Sequence, residues 1–411
     1  MLMRKCFLPH STVVPILILF NVLTLLLIDI IMNYHFYGAF LFSKRNFNVY
    51  KLKTTKLKLC AQPKIEVRSL NQPRDVRVST TSIEYRRHPK TILLWTKYYG
   101  ETYSHDYYYF VEEGNTTFKM YGCPYSDCIV TTNRSLLKTA HAVLFHQADF
   151  HPRDIPKSRD INQKWIFYLM EAPGRDSVFW HTRNNLFNWT MSYRSDSDIR
   201  VKYGEVCQLP TEEWEYVDKD YLQSKIGEVV WFVSNCHTSN NRIDYVAKLS
   251  EHIQVDIYGN CGKKKCQPSQ SPECYDEILK HYKFYLSFEN SNCKDYVTEK
   301  LFNVLNYDVI PVVMGSADYE SIAPPHFVIN AVDFPDPVNL AEFLKTVGSD
   351  GRLYNSYFEW KGKFKSYLYP WMCELCKKLH FQGGERTERN YISKWWLEEA
   401  GCKKWKLNKF L

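Results

Sequence analysis

The sequence predicts an α/β protein with two Rossmann-like domains that face each other across a cleft. Short apolar runs rich in β-branched and aromatic residues alternate with amphipathic segments, which is the pattern of parallel βαβ units. Two such series are visible, one from Thr91 and one from Glu228. We therefore expect a first domain at residues 91–226, a second at 227–365 and a C-terminal segment at 366–411.

An apolar run, Val13–Met32, precedes both series and is long enough to span a bilayer as a helix. Basic residues lie before the run, and no Lys or Arg follows it until Lys44. This asymmetry favours a cytoplasmic tail at residues 1–12 and a lumenal body. A cleaved signal peptide is the alternative, but the run is long and no A-x-A cleavage site follows it. Residues 33–90, with weak periodicity, are expected to form a stem.

The charge distribution excludes nucleic acid as a partner of the folded body. The chain of 411 residues has a formal charge of +8, and Lys44–Lys90 alone contains 13 basic residues against 3 acidic ones. The body after residue 90 therefore carries a small net negative charge. A nucleic-acid-binding body would need a basic face, and this one has no charge to supply it.

Thirteen cysteines point either to disulfides or to zinc, depending on the compartment. Several are closely spaced, in the pairs Cys123 with Cys128, Cys261 with Cys266, and Cys373 with Cys376. Sequons for N-glycosylation occur at Asn115, Asn133 and Asn188. The anchor and the sequons together favour a lumenal body, and hence disulfides.

Residues 282–315 are the most informative stretch of the chain. We expect a strand at Phe284–Phe288, a polar loop, a helix capped by Thr298, and a strand at Val309–Met314. A helix N-terminus at the carboxyl end of a strand is where α/β folds hold diphosphates. Lys300 would add a positive charge there.

Three motifs in this stretch, FEN, YVTEK and PVVMG, occur in the order and near the spacing of the α-1,3-fucosyltransferases, glycosyltransferase family 10. The chain resembles that family, and CKDYVTEK and IQVDIYGNCG are most similar to its invertebrate and plant branch, which fucosylates the N-glycan core. The resemblance implies a GT-B fold, GDP-β-L-fucose as donor, and a glycoprotein acceptor. We call residues 282–315 the donor stretch.

The resemblance also assigns roles to single residues. It implies donor contacts by side chains on both sides of the cleft: Tyr193, Ser234, Asn235, Arg242, Tyr285, Asn290, Tyr296, Glu299 and Lys300. Arg242, in the first turn of a predicted helix, suits a forked grip on phosphate oxygens. Lys300 and Arg242 would then stabilise the departing diphosphate without an obligatory metal, although Mn²⁺ can stimulate such enzymes.

Glu171 follows an apolar strand and precedes Pro173 and Gly174, so we expect it to project into the cleft. Burial there would raise its pKa and suit it to general-base work, whereas an exposed turn would leave it an ordinary carboxylate. The family carries Glu-Ser-Pro at this place, with the Glu as proposed base. This chain has Ala172 in place of the Ser.

Two alternatives remain open at this level. Asp196 and Asp198 have the spacing of a Mn²⁺-binding DxD, although the resemblance favours hydrogen bonding for them. A catalytically silent lumenal glycan-binding protein is the other alternative, because the chain is one residue shorter than the family pattern between Phe302 and Pro311. A single deletion inside a helix rotates the residues after it by about 100° around the helix axis.

The resemblance further implies that Cys373 and Cys376 bridge back to Cys123 and Cys128. The expected protein is thus an inverting α-1,3-fucosyltransferase, a single-pass Golgi membrane protein with its catalytic domain in the lumen. Its acceptor would be a GlcNAc of the N-glycan core or of N-acetyllactosamine.

Overall fold

Two parallel sheets carry the fold, as the alternating pattern predicts. The computed structural model describes residues 88–100, 113–174, 180–267, 271–322, 324, 326–367, 371–382, 391–406 and 409–410. The predicted tail, membrane anchor and nearly all of the stem lie outside the described residues. Within the described ranges, no helix is both long and apolar enough to cross a membrane.

The first sheet lies in the first half of the chain, and neighbouring strands are parallel throughout, in the order β2-β1-β3-β4-β5-β6. Its strands are β1 (Lys90–Leu94), β2 (Cys128–Thr131), β3 (Ala142–His146), β4 (Lys164–Leu169), β5 (Trp189–Ser192) and β6 (Ile199–Arg200). Strands β3 and β4 are buried along their whole length. Continuous apolar runs of this kind are typical of parallel strands covered on both faces.

The second sheet repeats the arrangement with the order β12-β11-β10-β8-β9, again with parallel neighbours. Its strands are β8 (Gly227–Phe232), β9 (Val255–Tyr258), β10 (Tyr282–Phe288), β11 (Ile310–Met314) and β12 (Ile329–Asn330). A separate antiparallel pair joins β7 (Glu205–Gln208) to β13 (Phe364–Tyr367). The predicted boundary at residues 226 and 227 falls directly before β8.

The helices are short, and most are capped by their own sequence. They are α1 (Thr116–Met120), α2 (Arg242–Ser250), α3 (Pro272–Leu279), α4 (Glu299–Phe302), α5 (Pro337–Ser349), α6 (Gly351–Ser356) and α7 (Trp371–Gln382). Ser271 and Asp336 cap α3 and α5, and in each case a proline follows at the first helical position. The C-terminal tail forms one π-helical turn, Lys394–Glu398, which is followed by the strands β14 (Trp405–Lys406) and β15 (Lys409–Phe410).

The disulfides have the pairing that the resemblance implies. Cys123 is bonded to Cys373 and Cys128 to Cys376, which ties α7 to the first half. The other described bonds are Cys236–Cys261, Cys266–Cys274 and Cys293–Cys402. His380 lies near the sulfurs of Cys128 and Cys376, but both sulfurs are used in a disulfide and do not form a zinc site.

Replacing Cys373 and Cys376 by serine should destabilise the protein by about 3–5 kcal/mol, because these bonds close very long loops in the unfolded chain. They span 250 and 248 residues, whereas the Cys266–Cys274 bond spans 8. Denaturant titration should therefore show a smaller loss for Cys266→Ser/Cys274→Ser. Equal losses in the two double variants would contradict this explanation.

Candidate active site

Glu171 contacts the donor stretch across the two halves of the molecule. It follows β4 by two residues, and its Oε2 accepts a hydrogen bond of 3.0 Å from the hydroxyl of Tyr296. Tyr203 supports the same turn, because its hydroxyl donates to the carbonyl of Met170 at 3.0 Å. The predicted base and a predicted donor-binding residue are thus brought together directly.

Tyr296 is the centre of an aromatic cluster between the halves. Its ring centroid lies 4.8 Å from that of Tyr193 and 6.3 Å from that of Tyr203. Burial, together with the nearby carboxylate of Glu171, raises the pKa of Tyr296 well above its ordinary value. The phenol therefore keeps its proton and serves as a fixed donor to Glu171.

Thr298 caps α4 as predicted, since its hydroxyl accepts a hydrogen bond from the backbone N–H of Lys300. The helix is short, with four residues in α4 before a 3₁₀ turn at Val304–Asn306. A macrodipole grows from several aligned peptide units, so a single turn supplies little of it. Any stabilisation of a diphosphate here must come mainly from side chains.

Glu289, in the FEN motif, is a functional candidate that the sequence reasoning missed. Its side chain is 1% exposed, and it accepts hydrogen bonds from the N–H of Thr298 at 2.8 Å and from the Thr298 hydroxyl at 2.9 Å. Lys300 Nζ lies 3.4 Å from Glu289 Oε2. Burial raises the pKa of Glu289 above its ordinary value. Its position directly after a buried strand was the available signal.

Lys300 is held between carboxylates. Its Nζ donates to Glu299 Oε1 at 3.1 Å and to the hydroxyl of Thr298 at 2.9 Å. Burial alone would lower the pKa of Lys300, but the carboxylates of Glu289, Glu299 and Glu171 outweigh it and raise the pKa. The ammonium group is thus charged and close to the predicted base.

Arg242 begins α2 as predicted, but its guanidinium group donates hydrogen bonds to other parts of the protein. One terminal nitrogen donates to the carbonyl of Phe288 at 2.6 Å and the other to the carbonyl of Asn235 at 3.1 Å. The side chain is 3% exposed, and burial lowers its pKa. Among the described residues its Nε has no hydrogen-bond partner. Arg242 therefore shapes the loops of the site rather than presenting a free fork to phosphate.

Ser234 and Asn235 follow β8 at its carboxyl end and are exposed. Ser234 lines a recess of about 50 Å³ with Gly259 and Lys265. Gly259 has φ of +101°, and a Cβ there would lie 2.5 Å from the carbonyl oxygen of Val233, so only glycine fits. These residues lie where open α/β sheets bind ligands.

Two further predicted donor residues carry buried polar atoms without partners among the described residues, Asn290 Oδ1 and the hydroxyl of Tyr193. Buried polar atoms are normally satisfied, so such atoms suit hydrogen bonds to a ligand. Tyr193 also lines a pocket of about 140 Å³ beside Tyr203 and Asp295. Burial raises the pKa of Tyr193 well above its ordinary value.

Tyr285, another predicted donor contact, lies in the core of the second half. It lies on β10 with 2% exposure, and its ring packs against Phe232 at 5.8 Å and Tyr275 at 6.2 Å between centroids. The alternation of side chains along a strand turns it toward α3 and into the core. Its hydroxyl is nevertheless within electrostatic range of Lys300 and Arg242, and the donor contact of Tyr285 stays a prediction.

The carboxylates of Asp196 and Asp198 have different hydrogen-bond partners. Asp196 accepts two hydrogen bonds from Arg194, at 2.9 and 2.7 Å. Burial opposes ionisation of Asp196, but the Arg194 guanidinium outweighs it and lowers the pKa. Asp198 accepts from the N–H and the hydroxyl of Thr190, both at 2.8 Å. Hydrogen bonding, as the resemblance favoured, accounts for both carboxylates.

Of the predicted glycosylation sites, Asn115 and Asn133 are exposed. Asn188 is 9% exposed, and its Oδ1 accepts a hydrogen bond of 2.8 Å from the N–H of Trp165. A glycan would be attached through Nδ2, to which the burial of Asn188 leaves little solvent access. Glycosylation at Asn188 stays a prediction that this burial disfavours, because a sequon does not report burial.

The shortened segment after Phe302 leaves the donor stretch intact. The 3₁₀ turn Val304–Asn306 rises faster per residue than an α-helix, and β11 then pairs with β10 in continuous register from Phe284 with Ile310. The predicted donor residues all precede this segment. The shortening therefore does not displace them.

The edge that carries Glu171 also holds features that the sequence reasoning missed. Asp149 accepts hydrogen bonds from the N–H groups of Tyr99 and Gly100, both at 2.6 Å, and pairs with His146 at 2.7 Å. Tyr99 has φ of +50°, an uncommon conformation for an aromatic residue. The rings of Tyr98 and Tyr99 are thus fixed at the carboxyl edge of the first sheet.

Both halves of the chain match known sequences. Residues 222–395 match the family described as glycosyltransferase family 10 (fucosyltransferase) C-term, and residues 87–204 match fucosyltransferase, N-terminal. Two relatives from Drosophila melanogaster are similar: glycoprotein 3-alpha-L-fucosyltransferase A, 38% identical over 71% of this chain, and alpha-(1,3)-fucosyltransferase C, 35% identical over 77%. This chain spans 59% of the first relative and 80% of the second.

A relative from Caenorhabditis elegans, alpha-(1,3)-fucosyltransferase fut-6, is 34% identical over 69% of this chain and 76% of its own length. A crystal structure of an α1,3-fucosyltransferase with GDP-fucose is 17% identical, with a TM-score of 0.44 over 72% of this chain and 90% of that one. The classification rests on the sequence matches alone. This chain belongs to the α-1,3-fucosyltransferases of glycosyltransferase family 10.

Proposed function

We propose that this protein transfers L-fucose from GDP-β-L-fucose, in α-1,3 linkage, to a GlcNAc of glycoprotein N-glycans. The observation that carries the proposal is the 3.0 Å hydrogen bond between Tyr296 and Glu171, because it puts a carboxylate of the first half against the donor stretch of the second. Such a shared site suits a GT-B arrangement, with the acceptor on one half and the donor on the other.

The chemistry would be a one-step inversion. Glu171 Oε2 accepts from Tyr296, and Oε1 accepts no hydrogen bond from the described residues, so it suits the proton of an acceptor hydroxyl. As the acceptor oxygen bonds to the anomeric carbon, the bond from that carbon to the phosphate oxygen breaks and its electron pair leaves with GDP. The transition state resembles an oxocarbenium ion.

Lys300 is the cation best placed to stabilise the leaving diphosphate. In the structure it is paired with Glu299, whose side chain is 36% exposed, and with buried Glu289. A diphosphate has to compete with the exposed carboxylate for the ammonium group. We infer that donor binding moves Lys300 from Glu299 to phosphate, which frees Glu299 to accept hydrogen bonds from sugar hydroxyls.

We further propose that this transfer has no obligatory metal. The support is the charged ammonium group of Lys300 beside the donor stretch, which supplies the electrostatic role that a divalent cation has elsewhere. The metal-dependent alternative assigns that role to Asp196 and Asp198, which accept hydrogen bonds from Arg194 and Thr190 respectively.

The acceptor would lie over the carboxyl edge of the first sheet, next to Glu171. There Tyr98 and Tyr99 offer half-buried rings to which the apolar face of a sugar can pack. One relative from Drosophila melanogaster, glycoprotein 3-alpha-L-fucosyltransferase A, has a name that specifies a glycoprotein substrate. We therefore propose the N-glycan core as first acceptor, with N-acetyllactosamine as the alternative, and a Golgi lumenal location consistent with the disulfides.

The test is incubation of the full-length protein with GDP-fucose and a panel of core and outer-arm N-glycans, with and without EDTA. We expect transfer to the GlcNAc of the core, and the same rate in EDTA. Loss of transfer in EDTA that only Mn²⁺ restores would favour the metal-dependent alternative. Glycan binding without transfer to any acceptor would favour a silent glycan-binding protein.

A further inference from the structure

The C-terminal segment at residues 391–406, which we call the strap, contacts both halves next to the candidate site. The family matches end at residue 395, so most of the strap lies outside them. The strap is nevertheless well packed, with Ile392, Trp396 and Ala400 fully buried. It requires an explanation beyond family membership.

The strap begins on the first half. The N–H and hydroxyl of Ser393 donate to Asn184 Oδ1 at 3.0 and 3.1 Å. Arg194, 1% exposed, donates to the carbonyl of Trp395, and its guanidinium lies 4.6 Å from the Trp395 ring centroid. Buried cationic and aromatic contacts of this kind fix a segment in one position.

From there a chain of rings leads to the predicted base. The Trp396 ring lies 5.6 Å from that of Tyr193, which lies 4.8 Å from that of Tyr296. Tyr296 then donates to Glu171. The three aromatic rings are at most 2% exposed, so a change at one is transmitted by packing rather than absorbed by solvent.

The middle of the strap is joined to the donor stretch on both sides of a disulfide. Cys402 is bonded to Cys293, the N–H of Lys294 donates to the carbonyl of Ala400 at 2.8 Å, and the N–H of Lys403 donates to the carbonyl of Asn292 at 2.9 Å. Asn292, Cys293 and Lys294 lie in the loop between Asn290 and Tyr296. The strap therefore holds the loop that carries two of the predicted donor contacts.

The end of the strap reaches the second half. The N–H of Trp405 donates to the carbonyl of Asn240 at 3.0 Å, and Asn241 Nδ2 donates to the carbonyl of Trp405 at 2.9 Å. Asn240 Nδ2 in turn donates to the carbonyl of Glu289 at 2.7 Å. The loop after β10 is thus held at its start through Asn240 and in its middle by the disulfide.

We propose that the strap is a positioning element with two separable effects on the reaction. The Cys293–Cys402 bond holds the loop in its donor-binding conformation, and Trp396 holds Tyr296 against Glu171. The inference rests on the proposed function. A purely structural strap would lower stability and the active fraction, but it would leave the Michaelis constant for the donor unchanged.

The first test is Cys293→Ala/Cys402→Ala in the full-length protein. We expect the KM for GDP-fucose to rise about ten-fold, since small displacements of binding groups are costly, while the KM for the acceptor changes little. Cys123→Ala/Cys373→Ala removes a disulfide from α7 and the first half, and it is the matched control. Its donor KM should stay at the wild-type value even if its melting temperature falls.

The second test is Trp396→Ala with Trp396→Phe. The alanine variant should lose about ten-fold in kcat with little change in the KM for GDP-fucose, because Tyr296 no longer holds Glu171 in place. The phenylalanine variant keeps an aromatic ring against Tyr193 and should recover most of the kcat. Equal kcat values in the two variants, or a change only in the KM, would overturn this half of the inference.

Calorimetric titration with GDP shows whether the strap inference or the proposed function is wrong. If the wild type binds GDP and Cys293→Ala/Cys402→Ala binds it several-fold more weakly, the disulfide positions the donor loop. Equal GDP affinity in both proteins would overturn the proposed effect of the disulfide and leave the proposed function standing. A wild type that binds no GDP would refute the proposed function, and the strap inference with it.

Discussion

Replacing Glu171 with glutamine should reduce transfer of fucose by about 10³-fold, while binding of GDP stays nearly intact. General-base catalysis typically contributes 10²–10⁴-fold, and the amide cannot take the acceptor proton. The amide oxygen can still accept the hydrogen bond from Tyr296, so the aromatic cluster between the halves should keep its geometry. Initial rates with saturating GDP-fucose, together with GDP titration, measure the two effects separately.

Asp198→Asn is the informative control for this variant. The metal-dependent alternative requires the Asp198 carboxylate for catalysis, whereas the structure uses it to accept hydrogen bonds from Thr190. We expect the Asp198→Asn protein to keep most of its activity. A wild-type rate in Glu171→Gln would remove Glu171 from the base role, and a dead Asp198→Asn that still folds would point to a metal.

Replacing Lys300 with methionine should lower kcat/KM by about 10²–10³-fold, because it removes the cation that we propose stabilises the leaving group. It should also destabilise the fold by about 3 kcal/mol, since it leaves the carboxylate of Glu289 buried without its ion-pair partner. The double variant Lys300→Met/Glu289→Gln should recover the stability but not the activity. Recovery of stability without recovery of activity would distinguish the leaving-group role of Lys300 from its structural role.

The instability of Lys300→Met should depend on pH. Burial raises the pKa of Glu289 in the folded state, so the folded protein binds this proton more tightly than the unfolded chain does. The corresponding stability is present at low pH and is lost as the pH rises through the folded-state pKa. Without Lys300 the pKa rises further, so denaturation at pH 5 and pH 8 should differ more than in wild type. In Lys300→Met/Glu289→Gln the stabilities at pH 5 and pH 8 should no longer show this larger difference. A difference as large as in Lys300→Met would contradict the assignment to Glu289.

The central part of each sheet could be predicted from the sequence because strands such as β3, β10 and β11 are local apolar runs. Strands β10 and β11 lie within two residues of the predicted ends, and Thr298 caps α4 as expected. Parallel pairing follows from the alternation of strands and helices. The placement of Glu171 beside Tyr296 could also be expected, since both lie at carboxyl ends of their sheets.

The partners of single polar side chains could not be predicted in the same way. Arg242 uses its fork on two backbone carbonyls, and Glu289 is buried against Thr298 and Lys300. The contact of Arg242 with Phe288 joins residues 46 apart in the chain, and Glu289 meets Thr298 only because the loop between them folds back. The burial of Asn188 depends equally on its contact with Trp165, 23 residues earlier.

The contacts of the strap were even less predictable from the sequence. Its position in the fold depends on contacts with Arg194, Cys293 and Asn240. These contacts join segments that are about a hundred residues or more apart in the chain. Local periodicity carries no information about them.

The most direct test of the shared site is the stereochemistry of the first product. Glu171 on one half and Lys300 on the other imply a single displacement, in which the acceptor oxygen attacks opposite the leaving diphosphate. Proton NMR of the full-length protein with GDP-β-L-fucose and an N-glycan acceptor should show the α-fucoside as the first-formed product. A first-formed β-fucoside would mean a double displacement and would contradict the assignment of Glu171 as base.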